Sequence, residues 1–182
     1  MTGAVGEKAL PATVWTVGHS TRDWEAFLQL LAIHGIEAVV DVRRFPGSRR
    51  YPWFAEPVLR NSLPDAGLEY LWLPQLGGRR TPLADSPNGA WRNAAFQGYA
   101  DHMDSTEFAD GLGQAMALAR GRRTALMCAE ALWWRCHRRL ISDLLVHRAI
   151  KHGLAGGDAD DFRYSAHEMD QLALQRKSSA SP

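Results

Sequence analysis

The sequence predicts a single α/β domain with a mostly parallel sheet of about four strands and helices on both faces. Short β-branched or apolar runs alternate with longer stretches of helical period, the order that builds parallel βα units. The strand read over 124–129 is apolar on both faces, as central parallel strands are. A chain of 182 residues, 46% of them hydrophobic, has enough apolar material for one core, which excludes disorder of the whole chain.

Residues 1–12 read as a flexible leader, and 13–153 as the domain. Thr13-Val-Trp-Thr-Val17 is the first strand, closed by Gly18-His19-Ser20. Ser20 or Thr21 is placed to cap a helix with its stripe at Trp24, Phe27, Leu28, Leu31 and Ala32, ended by Gly35. Ile36 to Val42 is the second strand. The segment 43–54 has no regular period, two prolines and a glycine, and aromatics interleaved with arginines. A short helix over Glu56–Asp65 and a third strand over Leu68–Leu73 follow. Helical stripes over Trp91–Met103 and Thr106–Ala119 form a long crossover into the fourth strand, Thr124–Ala129. The last long helix spans about Arg135 to His152, with Leu140, Ile141, Leu144, Leu145 and Ile150 inward and Gly153 as its stop. Residues 154–182 form a C-terminal extension: a turn-rich acidic connector, a short helix over His167–Leu174 and a disordered end.

No apolar run reaches the ~20 residues of a membrane helix. The first residues lack the layout of a secretory signal, and two cysteines then fit a reducing, cytoplasmic setting. Formal net charge is +1, which gives no support to a protein that coats polyanions. Arginine nevertheless outnumbers lysine 18 to 3, with clusters at 43–50, 79–80, 120–123 and 135–139. A GC-rich coding bias also raises arginine over lysine but does not cluster it. Guanidinium forks suit bidentate recognition of phosphate or carboxylate.

Each predicted strand ends in polar, reactive residues, and the carboxyl ends of parallel strands share one rim. The catalytic candidates are Cys128 as nucleophile, Glu130, His19 and His137. The substrate-binding candidates are Ser20, Asp41, Arg43, Arg44, Arg79, Arg135 and Arg138. Cations and the start of the last helix are expected to favour the Cys128 thiolate and make it the more reactive thiol. Cys136, one turn before Leu140, reads as a core position. Cys128, Cys136, His137 and His19 have the chemistry of zinc ligands but no compact paired spacing, so the sequence assigns no metal. It names no cofactor and no oligomeric state. The stretch Cys128 to Arg135 is chemically similar to the cysteine–arginine loops of tyrosine phosphatases and rhodaneses. It is one residue longer than theirs, and Leu132-Trp133-Trp134 stands where small residues would let backbone amides cradle an oxyanion.

Several stretches taken together are those of a known family. They are Thr16-Val-Gly-His-Ser20, Asp41-Val-Arg-Arg-Phe-Pro-Gly-Ser48, Leu76-Gly-Gly78, Phe96-Gln-Gly-Tyr-Ala100, and Met127-Cys-Ala-Glu130 with Cys136-His-Arg138. Through them the chain resembles the family of "domain of unknown function 488" over roughly residues 14–153. The resemblance implies a soluble α/β domain whose activity is unassigned. It also implies a short strand after the last helix, where this chain has Gly153-Leu-Ala-Gly-Gly157 instead.

Three functional readings follow from the residues. The first is an enzyme, a cysteine-dependent hydrolase or transferase, acting on an anionic, phosphate- or nucleotide-like substrate. The second is a nucleic-acid-binding module that uses the 43–54 loop without catalysis. The third is a structural domain whose cysteines pack and whose arginines pair with carboxylates. None of the three involves a membrane.

Overall fold

The computed structural model describes residues 13–151, with side chains described through residue 147. The expected leader and C-terminal extension, the stop at Gly153 and the segment after it lie outside the described residues. In chain order the elements are β1 (Trp15–Gly18), α1 (Trp24–Ile33), β2 (Ala38–Asp41), α2 (Glu56–Asp65), β3 (Glu69–Trp72), α3 (Ala94–Met103), α4 (Thr106–Ala119), β4 (Thr124–Cys128) and α5 (Arg138–Lys151). Short 3-10 turns stand at Pro52–Phe54, Pro74–Leu76 and Trp133–Arg135.

The four strands form one sheet in the order β1-β4-β2-β3, and every pairing is parallel. The apolar run of β4 takes a central place, with all five residues buried. At the edge, β3 stays half-exposed, which its Glu-Tyr-Leu-Trp sequence tolerates. Right-handed crossovers require α1 and α2, which connect strands in one direction across the sheet, to cover the same face. The return connection through α3 and α4 must then cover the other. Two separate cores follow that rule. Phe27 and Leu31 of α1 pack with Leu59 and Leu63 of α2 against Val39 and Met127. Tyr99, Phe108 and Leu112 pack with Leu140 and Ile141 of α5 against Val40 and Leu126.

Several local expectations change. The cap of α1 is Asp23, whose carboxylate accepts from Ala26 N at 2.7 Å. Ser20 is drawn away from that role because its amide is bonded to Ala129 O and its φ is +50°. Leu30, rather than Ala32, completes the buried stripe of α1. Gly35 does end the helix: at φ +58° its amide bonds to Ala32 O and that of Ile36 to Leu31 O. Asn93, accepting from Ala95 N and Phe96 N, starts α3 later than expected and leaves Trp91 outside to pack on Phe96. Finally, α5 begins at Arg138, because 133–135 close a 3-10 turn. Cys136 and His137 therefore sit just before the helix, a shift that decides the site.

Gly18 is where the backbone after β4 crosses the end of β1. A Cβ there would lie 2.1 Å from Glu130 O and 2.7 Å from Ala131 Cα. Neither is the flexible end of a side chain. Gly18→Ala should therefore destabilise the protein by about 3 kcal/mol or more. Gly113→Ala on the exposed face of α4, where a Cβ meets nothing within 4 Å, should stabilise it by roughly 0.5–1 kcal/mol. Urea unfolding of the two variants reads both signs, and an unchanged midpoint for Gly18→Ala would refute the crossing.

Candidate functional site

After β1 the chain turns to one face of the sheet, and after its neighbour β4 it turns to the other. Neighbouring strands that part in this way leave a crevice at their carboxyl ends. A cleft of about 660 Å³ occupies that position. His19 and Ser20 border it from the end of β1, Arg43 and Arg44 from β2, and Arg79 from the loop after β3. Cys128, Glu130, Arg135 and His137 border it from β4 and the turn that follows. Cys136, read from the sequence as a core position, also reaches the cleft while 4% exposed. Asp41 and Arg138 lie beneath it, both fully buried.

Asp41 and Arg43 are two residues apart on an extended segment, so their side chains share a face. The Asp41 carboxylate accepts from Arg43 Nε at 2.8 Å, Arg43 Nη2 at 2.6 Å, Arg43 N at 3.1 Å and the Tyr70 hydroxyl at 2.8 Å. Burial, and then the charge of Asp41, push the Tyr70 hydroxyl far up, so it remains a donor. Arg43 also donates from Nη2 to Phe54 O at 2.8 Å and from Nη1 to His19 Nε2 at 3.1 Å. A guanidinium has no acceptor, so His19 Nε2 carries the lone pair. Nδ1–H of the same ring donates to Ser20 O at 3.0 Å. The ring stacks on Phe54, with centroids 4.2 Å apart. Burial first, and then the Arg43 charge, lower the His19 pKa to about 4, so the ring is neutral near pH 7.

This geometry revises two expected roles. Arg43 is 7% exposed and its fork is held by Asp41, so it offers no free bidentate face to a substrate. Both nitrogens of His19 are engaged, which leaves no lone pair to act as a base. The two residues position the rim. Asp41 likewise braces the fold and does not face the cleft.

The expected partners of the thiol also lie elsewhere. Cys136 Sγ lies 3.6 Å from His137 Nδ1 and accepts from Arg138 Nε at 3.4 Å. Arg138, one of the cations expected beside Cys128, thus bonds to Cys136, and the His137 imidazole joins it there. Contact with Cys128, then His137 and Arg138, draws the Cys136 thiol well down. Contact with Cys136, then burial, pushes the Cys128 thiol well up. Arg138 further holds the chain by donating from Nη2 to Glu130 O. His137 Nε2 donates to Val42 O at 2.9 Å, and its ring packs on Tyr99 with centroids 5.0 Å apart. Tyr99 is itself fixed by its hydroxyl donating to Leu76 O at 2.8 Å.

The open guanidinium groups are those of Arg44, Arg79 and Arg135, all on exposed residues. Arg44 Nη1 donates to Arg79 O at 3.2 Å. Arg79, at φ +59°, and Ser20 are the non-glycine residues with left-handed backbone among the described residues, and both line the cleft. Such conformations persist only where their surroundings over-determine them. Glu130 Oε1 accepts from Leu132 N at 3.2 Å, so this carboxylate shapes its own turn. Phe54, counted in the sequence as a stacking face of the 43–54 loop, is instead fully buried.

Gly78, Tyr99, Phe96 and Asn93 were not foreseen as parts of the site. A Cβ on Gly78 would come within 2.8 Å of His137 Nδ1, and Phe96 and Asn93 wall the cleft. The paired glycines of Leu76-Gly-Gly78 and the Phe96–Ala100 stretch were the signals that marked these positions.

Arg43→Lys keeps the charge but loses the fork to Asp41, Phe54 O and His19. It should lower stability by about 3 kcal/mol; thermal melting checks it, and a wild-type melting temperature would refute the brace. His19 supplies a pH test. Its ordinary pKa is 6.5, and in the fold it falls to about 4 beside Arg43, Arg22 and Arg138. Between those values the unfolded chain binds a proton that the folded chain refuses. The contribution of His19 to stability is thus full above pH 6.5 and declines as pH falls toward 4, by about 3 kcal/mol across that window. Denaturant midpoints at pH 7 and pH 4.5 should differ less in His19→Gln than in the wild type, and an equal difference would remove His19 from the account.

Comparison with curated proteins and with solved structures yields no match. A family model, described as domain of unknown function DUF488, matches residues 23–145. That span holds β2, β3, β4 and the whole Cys128–Arg138 turn, and it is well over half of the chain. The chain belongs to the DUF488 family.

Proposed function

We propose that the protein is an enzyme, a hydrolase or transferase, that binds an anionic substrate in this cleft and acts on it at the Cys128–Cys136–His137 wall. The observation that carries the reading is the company these groups keep. One cleft holds three open guanidinium groups together with two thiols and an imidazole, and Glu130 is its one acidic side chain among the described residues. Charge of one sign around a concave site raises the local concentration of the opposite ion. Arg44, Arg79 and Arg135 are the groups free to hold phosphate or carboxylate oxygens. Phe45, Tyr51 and Phe96 border the same space and give it faces for a planar group, which suits a nucleotide-like substrate. No helix among the described residues is long and apolar enough to cross a membrane.

A nucleic-acid-binding module without catalysis is the second reading. It draws on the exposed Arg49, Arg50 and Phe45, with the Arg44 guanidinium 5.2 Å from the Phe45 ring centroid. The two readings part in calorimetry with inorganic pyrophosphate, adenosine monophosphate and a single-stranded oligonucleotide. On the enzyme reading the small anions bind, and Arg44→Lys or Arg135→Lys weakens them roughly ten- to hundredfold, since lysine cannot reproduce a two-pronged contact. Melting temperatures should stay at the wild-type value, because these side chains are exposed. Failure of both anions to bind, or equal affinity in both variants, sinks this reading. Binding of the oligonucleotide alone, falling steeply with salt, would favour the second.

A further inference from the structure

The geometry points to a site for a divalent metal of the zinc class, held by Cys128 Sγ, Cys136 Sγ and His137 Nδ1, with its remaining position open to the cleft. The three ligand atoms all lie within 4.8 Å of one another. Tetrahedral zinc, with Zn–S of about 2.3 Å and Zn–N of about 2.0–2.1 Å, separates a sulfur from a nitrogen ligand by about 3.6 Å. Cys136 Sγ and His137 Nδ1 are 3.6 Å apart.

The imidazole is set up as a ligand before any ion arrives. Val42 O can only accept, so Nε2 of His137 carries the proton at that 2.9 Å contact and Nδ1 keeps the lone pair. Anchoring the far nitrogen to a carbonyl is how metal-binding histidines are oriented and tautomer-fixed. Tyr99 and Gly78 confine the ring from its sides, and a Cβ at residue 78 would strike Nδ1 itself. Both thiols are free, and Arg138 Nε donates to Cys136 Sγ, an outer contact suited to a metal-bound thiolate. A divalent ion with two thiolates is neutral, so filling the site adds no charge to a rim already rich in arginine.

Donor type narrows the ion. Two thiolates and an imidazole select zinc-like metals over magnesium or calcium, which take oxygen. Three protein ligands with an open position are the arrangement of catalytic zinc rather than of closed structural zinc. His19 is excluded as a fourth ligand, because its nitrogens are held by Arg43 and Ser20. The site goes beyond the anion reading and stands or falls without it.

The test uses the full chain, reduced and stripped with a chelator, then titrated with cobalt(II) in the absence of any anion. One cobalt per chain is expected, with the intense visible bands of tetrahedral geometry, a thiolate-to-cobalt charge-transfer band of two-sulfur intensity, and full displacement by zinc. The chain contains two cysteines, Cys128 and Cys136, so sulfur intensity in the wild type reports on them alone. It does so even where a variant fails to fold. Cys136→Ser and His137→Asn should each weaken binding by more than the roughly 10–100-fold that loss of an outer-shell partner costs. No charge-transfer band, or cobalt binding that survives Cys136→Ser and His137→Asn in folded protein, overturns the site. Under those outcomes the thiols are a metal-free pair. Because the titration contains no anion, a failure of pyrophosphate to bind leaves this result untouched.

Discussion

The Asp41–Arg43 pair is the contact on which the rim of the sheet depends. A fully buried carboxylate is costly unless its oxygens are filled, and here four donors fill them. The same guanidinium reaches Phe54 O in the 43–54 loop and His19 after β1. Tyr70 joins from β3. One ion pair at the end of β2 therefore ties β3, the residue that follows β1 and the loop that walls the cleft to one another. An apolar pair of equal volume would fill the space, but it would give none of those groups a direction. The neutral state of His19 follows from its burial first and from this wiring second. The lone pair that a base would need already receives a hydrogen bond from Arg43.

The fold was legible because periodicity alone determines it. Strands and helices alternate, β4 is apolar on both faces, and the handedness of crossovers leaves one way to share the helices between the faces. Convergence at the carboxyl rim was legible for the same reason. What the sequence could not show was direction. Asp41 and Arg43, two apart on an extended segment, were a visible pair, yet charge alone does not say whether a guanidinium faces a carboxylate or a substrate. The acidity of the thiols turned on where α5 starts. With a 3-10 turn over 133–135, Arg138 and His137 make their side-chain contacts to Cys136. Ser20 had the right chemistry for a helix cap, but its amide was already committed to the strand ladder beside β4.

The arginines in and beneath the cleft separate into two groups once their partners are known. Arg43 and Arg138 are interior fixtures, at 7% and 0% exposure. Arg44, Arg79 and Arg135 project into the cleft mouth. The second group faces an approaching ion directly, whereas the charge of Arg43 is compensated at contact distance by Asp41. Close backbone approaches hold that mouth in shape. A Cβ at Gly77 would strike Arg44, and one at Gly78 would strike His137. The adjacent glycines therefore seat an exposed arginine and a cleft histidine on a single stretch of backbone.

The family match begins at residue 23, after β1, yet the cleft does not. His19 and Ser20 form part of its wall, and their amides extend the β1–β4 ladder past Cys128 to Cys128 O and Ala129 O. Gly18 lets the chain at Glu130 and Ala131 pass directly over the strand end. Without β1, the turn that carries Glu130 would lose its floor, Arg43 would lose its His19 contact, and Phe54 would lose its stacking partner. The structural unit of the site is therefore longer than the matched span. Its first strand acts through its backbone. It holds the segment between Cys128 and Cys136 in the path that brings the two thiols and His137 together.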